Sequence, residues 1–327
     1  MSHVKANGGG VAVGFVSRTQ CPACGDGSAR TLYRRPFDQR PVREYLELFY
    51  QGRVPLKLLK GGEYHLAQCT RCGLAFQTDV LNDDGMGLLY GSWIDPDRSI
   101  DIVEGRLPRV APLYVRTIYR LASYGVRPGP DCTILDYGCG WGHLLMAARA
   151  FGYNAIGVEI SGERREYLRS QGIPCYASLD EVPVKADYVN CDQVLEHLPK
   201  PREALARLAD ACKEGGIIKL SVPDARKALR RLARRPPQDA DALLRLNAVA
   251  PLEHINAFTP RSLMRMGLEV GLTPLRPPHR DMIEVAAPLV TLRAGARSVA
   301  RWLVNRLFPV RGTTQYFRKG IGGELPR

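Results

Sequence analysis

The segment Thr133–His143 reads T-I-L-D-Y-G-C-G-W-G-H: an aliphatic run ends in Asp136, glycines follow at 138, 140 and 142, and the apolar stretch Leu144–Phe151 comes next. This spells strand, tight turn and helix. Backbone can approach a ligand closely only where no Cβ intervenes, and a sharp turn after a strand needs dihedrals closed to most residues. A second run, Asn154–Val158, ends in Glu159, a carboxylate placed to accept both hydroxyls of a ribose. His143 stands where a dinucleotide fingerprint wants its third glycine, so the D-x-G-x-G-x-G spacing argues against that ligand. Four cysteines carry a different chemistry. Cys21/Cys24 and Cys69/Cys72 form two C-x-x-C-G knuckles, and four thiolates aimed at one point make the closed tetrahedral shell of a structural zinc site. Two histidines, His197 and His254, follow later strands, and imidazole is suited to proton transfer near neutral pH.

The elements that must hold these residues follow from periodicity. Strands are expected at Thr133–Asp136, Asn154–Glu159, Ile173–Ala177, Ala186–Cys191 and Ile217–Val222, with helices between them, an alternation that implies a parallel sheet with right-handed crossovers. A last strand, Thr313–Arg318, is expected to pair with Met282–Val285 as an antiparallel edge. The fold class is therefore α/β, a Rossmann-like and mostly parallel sheet with a small zinc-ribbon-like module ahead of it. The expected divisions are a flexible tail at 1–18, the zinc module at 19–95, a linking helix within 96–130 and the α/β domain at 131–327. The module should hold a helix at Val42–Tyr50 and strands near Tyr64–Ala67 and Leu74–Gln77. Tyr90 and Trp93 are expected to pack the module onto the next domain. The amphipathic run Ile100–Tyr124 is the linking helix, stopped by Gly125 and Pro128. The arginine-rich stretch 224–253 reads as a helical lid over an acceptor pocket. Leu289–Phe308 is amphipathic with an arginine stripe, expected to dock on the sheet, with peripheral membrane contact as the alternative.

Bulk properties limit the partners. The chain has 327 residues, 45% of them hydrophobic, enough for one large domain and a small one. No apolar run approaches the roughly 18 residues of a spanning helix, and the N-terminus has no convincing signal cleavage site. Nine cysteines, several within expected strands, suit a reducing compartment, so a cytoplasmic location is expected. The net charge of +13 favours anionic partners without naming one. Oligomeric state is left open.

Taken together, the two knuckles, D-Y-G-C-G-W-G, G-V-E-I-S, V-L-E-H-L and H-I-N-A-F-T-P resemble class I S-adenosylmethionine-dependent methyltransferases with an N-terminal zinc-binding module. The resemblance implies that Glu159 fixes the ribose and that Asp136, Gly138, Cys139, Gly140 and Gly142 shape the site of the methionine end. It also places Ser178 and Leu179 near the adenine and Gln193 at the cofactor mouth. His197 and His254 are the candidate bases for an oxygen acceptor. The implied reaction is in-line methyl transfer, with proximity and alignment as the protein's main contribution, to a small molecule, sugar or glycan. The alternatives are an RNA acceptor, which the basic charge would suit, and a non-catalytic scaffold. A remoter reading gathers Gln193, Glu196, His197 and His254 around Mg²⁺, as in small-RNA-end methyltransferases with E-x-x-E-H. Gln193 in place of the first carboxylate removes a charge that such a site wants.

Overall fold

The computed structural model describes residues 12–94, 114–276 and 313–320. The N-terminal region begins with β1 (Phe15–Ser17), β2 (Ala29–Pro36), α1 (Val42–Phe49), β3 (Glu63–Cys69), β4 (Ala75–Gln77), β5 (Asp79–Leu81) and α2 (Asp83–Leu88). Residues 15–17 thus form a strand where a flexible tail was expected: β1 pairs antiparallel with β5, and Phe15 stacks on Phe37 with centroids 5.4 Å apart. Residues 114–123 are helical (α3) and match the end of the expected linking helix. Its earlier part, Met282–Val285 and Leu289–Phe308 lie outside the described residues.

The second region holds β6 (Gly129–Tyr137), α4 (His143–Ala150), β7 (Tyr153–Val158), α5 (Gly162–Ser170), β8 (Cys175–Tyr176), β9 (Ala186–Asp192), α6 (Pro201–Ala211) and β10 (Cys212–Ser221). It continues through α7 (Arg226–Arg234), α8 (Ala240–Leu244), β11 (Asn256–Ala257), α9 (Pro260–Glu269), β12 (Leu272–Leu275) and β13 (Thr314–Lys319). The main sheet has the order β12-β13-β10-β9-β6-β7-β8. Strands β10, β9, β6, β7 and β8 are parallel, and Ile134, Leu135, Tyr188 and Val189 at the centre are at most 0% exposed, as expected for parallel strands covered on both faces. The fold is α/β and Rossmann-like with an antiparallel edge. The edge partner differs from expectation: β13 pairs with β10 and with Leu272–Leu275 of β12. Pro274 hid this strand from the sequence, yet an edge strand tolerates a proline that a central strand would not.

A second sheet, of order β11-β4-β3-β2, joins the two regions. Its strand β11 comes from between α8 and α9, far along the chain, and pairs antiparallel with β4. Helices α7 and α8 occupy the stretch read as a lid, and their apolar residues Leu229, Leu232 and Leu243 share one core with Tyr33, Tyr45, Leu46 and Tyr50 of the N-terminal region. That packing covers the apolar stripes which an amphipathic helix must bury. Trp93 is buried in the same core, as the packing reading required. No helix among the described residues is long and apolar enough to cross a membrane.

Arg18 locks the arrangement. Its guanidinium donates to the carbonyls of Gln77 (2.6 and 2.9 Å), Ile255 (2.7 Å) and Pro199 (3.3 Å) and to Asn256 Oδ1 (2.8 Å). Burial lowers its pKa to about 10, which still leaves it charged at neutral pH. Arg18→Ala is expected to lower unfolding free energy by about 2–3 kcal/mol, since it leaves several carbonyls unpaired. Arg18→Lys should restore less than half of that, because an ammonium lacks the planar fork. Urea denaturation of the three proteins measures both effects.

Candidate active site

The glycine turn lies at the carboxyl end of β6. Gly138, Gly140 and Gly142 have φ of 71°, 54° and 72°, the left-handed region that favours glycine. A Cβ on Gly138 would come within 2.5 Å of Val194, and one on Gly142 would strike Leu168. One on Gly140 would meet nothing within 4 Å, so the turn opens to a ligand at its middle glycine. Glu159, one residue beyond β7, closes the other side. It is 6% exposed, and its two carboxylate oxygens accept from the amides of Gly140 and Ser161, each at 2.9 Å. A carboxylate held this way keeps one orientation while its remaining lone pairs stay available to hydroxyl donors.

Asp136 sits beneath the turn and accepts from Asn190 Nδ2 at 2.6 Å. Burial raises its carboxyl pKa to about 7. Next to it, Lys219 pairs with Asp192 at 2.7 Å, a buried cation that the strand pattern of β10 concealed. Tyr114 of α3 stacks on His143 at the start of α4, with centroids 6.0 Å apart. Tyr114 lies within the amphipathic run Ile100–Tyr124, whose periodicity alone gives no sign of this contact. Ser178 and Leu179 follow β8, whose Tyr176 carbonyl accepts from the Glu159 amide at 3.0 Å. The Cys139 side chain turns away from the ligand side toward Cys175, with sulfurs 3.8 Å apart. Its amide donates to Val158 and its carbonyl accepts from Gly142, so Cys139 shapes the turn and leaves polar contacts to others. Gln193 is exposed with φ of 57°.

The structure brings the two histidines together. Their rings lie edge to face with centroids 4.9 Å apart. Each Nδ1 faces a backbone carbonyl, His197 that of Glu253 at 3.0 Å and His254 that of Asn247, so each Nδ1 carries the proton and each Nε2 has a free lone pair. Burial, and then the neighbouring His254, lower the His197 pKa to about 3; burial lowers that of His254 as well. Glu196 lies against them, 1% exposed, with neither oxygen hydrogen-bonded among the described residues. Its nearer oxygen is 3.8 Å from His197 Nε2, and burial raises its pKa to about 8. Tyr90 faces His197 edge-on at 6.1 Å. Asn256 of β11 builds this convergence: its Nδ2 donates to the carbonyls of Leu195 (2.9 Å) and Leu198 (2.7 Å), and its amide to that of Glu196 (3.0 Å). Gln77 of β4 holds the other side through the carbonyls of Ala250 and His254.

The four knuckle cysteines also converge. All are buried and free, with sulfurs 3.5 Å apart for Cys21 and Cys72 and 3.6 Å for Cys24 and Cys69. A tetrahedral zinc with bonds near 2.3 Å wants sulfurs roughly 3.8 Å apart, and the amides of Cys72 and Leu74 point at sulfur (3.5 Å each), as thiolates require. The donor set and spacing fit zinc.

Comparison with protein families matches residues 108–276 to the family described as Methyltransferase domain. Similar curated proteins include a ubiquinone biosynthesis O-methyltransferase of Methylococcus capsulatus, 30% identical over 137 residues that cover 38% of this chain and 54% of that protein. Another of the same name from Aeromonas salmonicida is 28% identical over 198 residues, 55% of this chain and 77% of that protein. The chain thus spans about half the length of the first relative. Among solved structures, the plantazolicin methyltransferase BamL, in complex with an analog and SAH, aligns over 72% of this chain and 94% of its own, with 12% identity and a TM-score of 0.47. The family match spans more than half of the chain and contains the glycine turn, Glu159 and both histidines. The chain belongs to the methyltransferase domain family.

Proposed function

We propose that the protein transfers the methyl group of S-adenosylmethionine to an oxygen of a small-molecule, sugar or glycan acceptor. The open glycine turn, with Glu159 fixed at its rim, carries this reading. The oxygen acceptor is supported by the similarity to the ubiquinone biosynthesis O-methyltransferases. When bound, the cofactor supplies a methyl group on a positively charged sulfur, which provides the driving force. Glu159 holds the ribose hydroxyls, Asp136 and the turn from Gly138 to Gly142 receive the methionine end, Ser178 and Leu179 border the adenine, and Gln193 lies at the mouth. His197 and His254 face the acceptor. As neutral imidazoles they accept a hydrogen bond from its hydroxyl and align it, while burial makes His197 a poor store for the proton. The four-cysteine cluster holds a structural zinc, because four thiolates leave no open position for substrate. In this reading the zinc module at 19–95 and the α/β domain at 131–327 act as one unit, since β11 of the latter completes the sheet of the former.

The pH dependence of cofactor binding tests the role of Asp136. Its raised pKa means that the apo protein carries a neutral carboxyl below about pH 7, whereas the cofactor's amino group favours the carboxylate. Affinity is expected to rise roughly tenfold between about pH 6 and 8 by titration calorimetry, as the ionised fraction does for a group titrating near 7. Asp136→Asn should flatten this profile. A steep profile retained by that variant would remove Asp136 from the role. Acceptor screening with labelled cofactor then tests the substrate class; transfer to RNA that weakens steeply with salt would replace the small-molecule reading.

A further inference from the structure

We propose that Glu196, His197 and His254 form a second metal site, separate from the four cysteines, which takes a zinc-class divalent ion on two imidazole nitrogens and one carboxylate. Their ligand atoms lie within 4.8 Å of one another, close enough for one ion at bond lengths near 2.0–2.2 Å after small side-chain adjustments. Three features make this more than proximity. Each histidine donates Nδ1–H to a backbone carbonyl, the outer contact that sets a metal-binding imidazole with its Nε2 lone pair inward. The Glu196 carboxyl is 1% exposed and has no hydrogen-bond partner among the described residues, a costly arrangement unless something else satisfies it. And the backbone on both sides is fixed from outside, by Asn256 on the loop of Glu196 and His197 and by Gln77 on that of His254.

The donor set selects the ion. Two nitrogens and one oxygen suit Zn²⁺ and its neighbours, whereas Mg²⁺ prefers oxygen and keeps its waters. Three protein ligands leave a position open, as in catalytic sites and unlike the closed cysteine shell. Val194, two residues before Glu196, stands against Gly138 of the glycine turn, so one short stretch of chain links the cluster to the turn. In the methyl-transfer reading, on which this role rests, the ion takes the two Nε2 lone pairs in place of the hydrogen bonds from the imidazoles to the acceptor, and the acceptor hydroxyl binds at the open position and releases its proton to solvent. Its oxygen pair then forms the bond to the methyl carbon while the carbon–sulfur pair stays on sulfur.

The test counts zinc. Metal-free protein reconstituted with Zn²⁺ and dialysed is expected to retain two zinc ions per chain by elemental analysis, and Glu196→Gln and His254→Asn to retain one each with unchanged affinity for S-adenosylmethionine. A wild type that retains only one ion overturns the site, as does a Glu196→Gln protein that retains two. X-ray absorption at the zinc edge of the wild type needs no variant to fold: the fully loaded protein should average about two sulfur ligands per zinc, from one four-sulfur site and one without sulfur, and an average near four overturns the proposal. A wild type that retains two ions, with the second lost in Glu196→Gln, supports the metal site even if no cofactor binds, an outcome that would overturn only the methyl-transfer reading.

Discussion

Glu159→Ala is expected to weaken S-adenosylmethionine binding on the order of 100-fold or more, measured by titration calorimetry on protein whose circular dichroism matches the wild type. Two charge-assisted hydrogen bonds to ribose hydroxyls, at about 1.5–3 kcal/mol each, account for that factor. A second loss adds to it, because the same carboxylate accepts from the amides of Gly140 and Ser161, and alanine leaves the open turn without its support. Glu159→Gln separates the two contributions. Its single carbonyl oxygen can satisfy one of the two amides while its NH₂ opposes the other, so its affinity should fall between alanine and wild type. Wild-type affinity in Glu159→Ala would show that the ribose is held elsewhere.

With zinc on the four cysteines as proposed, loss of that ion should have the largest structural effect. Structural zinc supplies on the order of 10 kcal/mol of apparent folding free energy in small modules, and Cys72→Ser removes one of the four ligands. The cysteines share a continuous core with Leu205, Leu208, Phe258 and Met266 of the α/β region, so the damage is not confined to the module. The melting temperature of Cys72→Ser is expected to fall by at least about 10 °C. Its consequence for catalysis should be uneven. Strand β11 pairs with β4 of the cysteine-bearing sheet, and β4 is also where Gln77 holds the His254 carbonyl. Turnover should therefore collapse at temperatures where cofactor affinity, which depends on β6 and β7, is still measurable. Equal loss of both would contradict this division.

Local chemistry made the glycine turn and its flanking carboxylates legible. Gly138, Gly140 and Gly142 each adopt dihedrals that other residues resist, and Asp136 and Glu159 end consecutive strands, so type and spacing along a short stretch already spell the turn. The same holds for the knuckles, where two cysteines three apart and a glycine encode their own local geometry. Apolar runs likewise marked the parallel strands of the main sheet, whereas β12 was hidden by Pro274, because an edge position permits what the pattern forbids, and β1, β2, β5 and β11 carried no such run. Arg18 was unreadable for a different reason: nothing about an arginine near a chain terminus announces the carbonyls of Gln77, Pro199 and Ile255, which reach it only in the folded protein.

The sequence by itself determined the class of chemistry, a methyltransferase sheet with a glycine turn and a four-thiolate cluster, because those features are built from neighbours along the chain. Only the tertiary structure decided how the histidine cluster is made. His197 and His254 are separated by more than fifty residues, and no periodicity says that they meet. They meet because Asn256 and its strand leave one region to complete the sheet of the other, pulling the loop of Glu196 and His197 against His254 through backbone hydrogen bonds. Contacts of that kind depend on which strand edge remains unpaired after both regions have folded, a property of three-dimensional packing that no short stretch of residues contains.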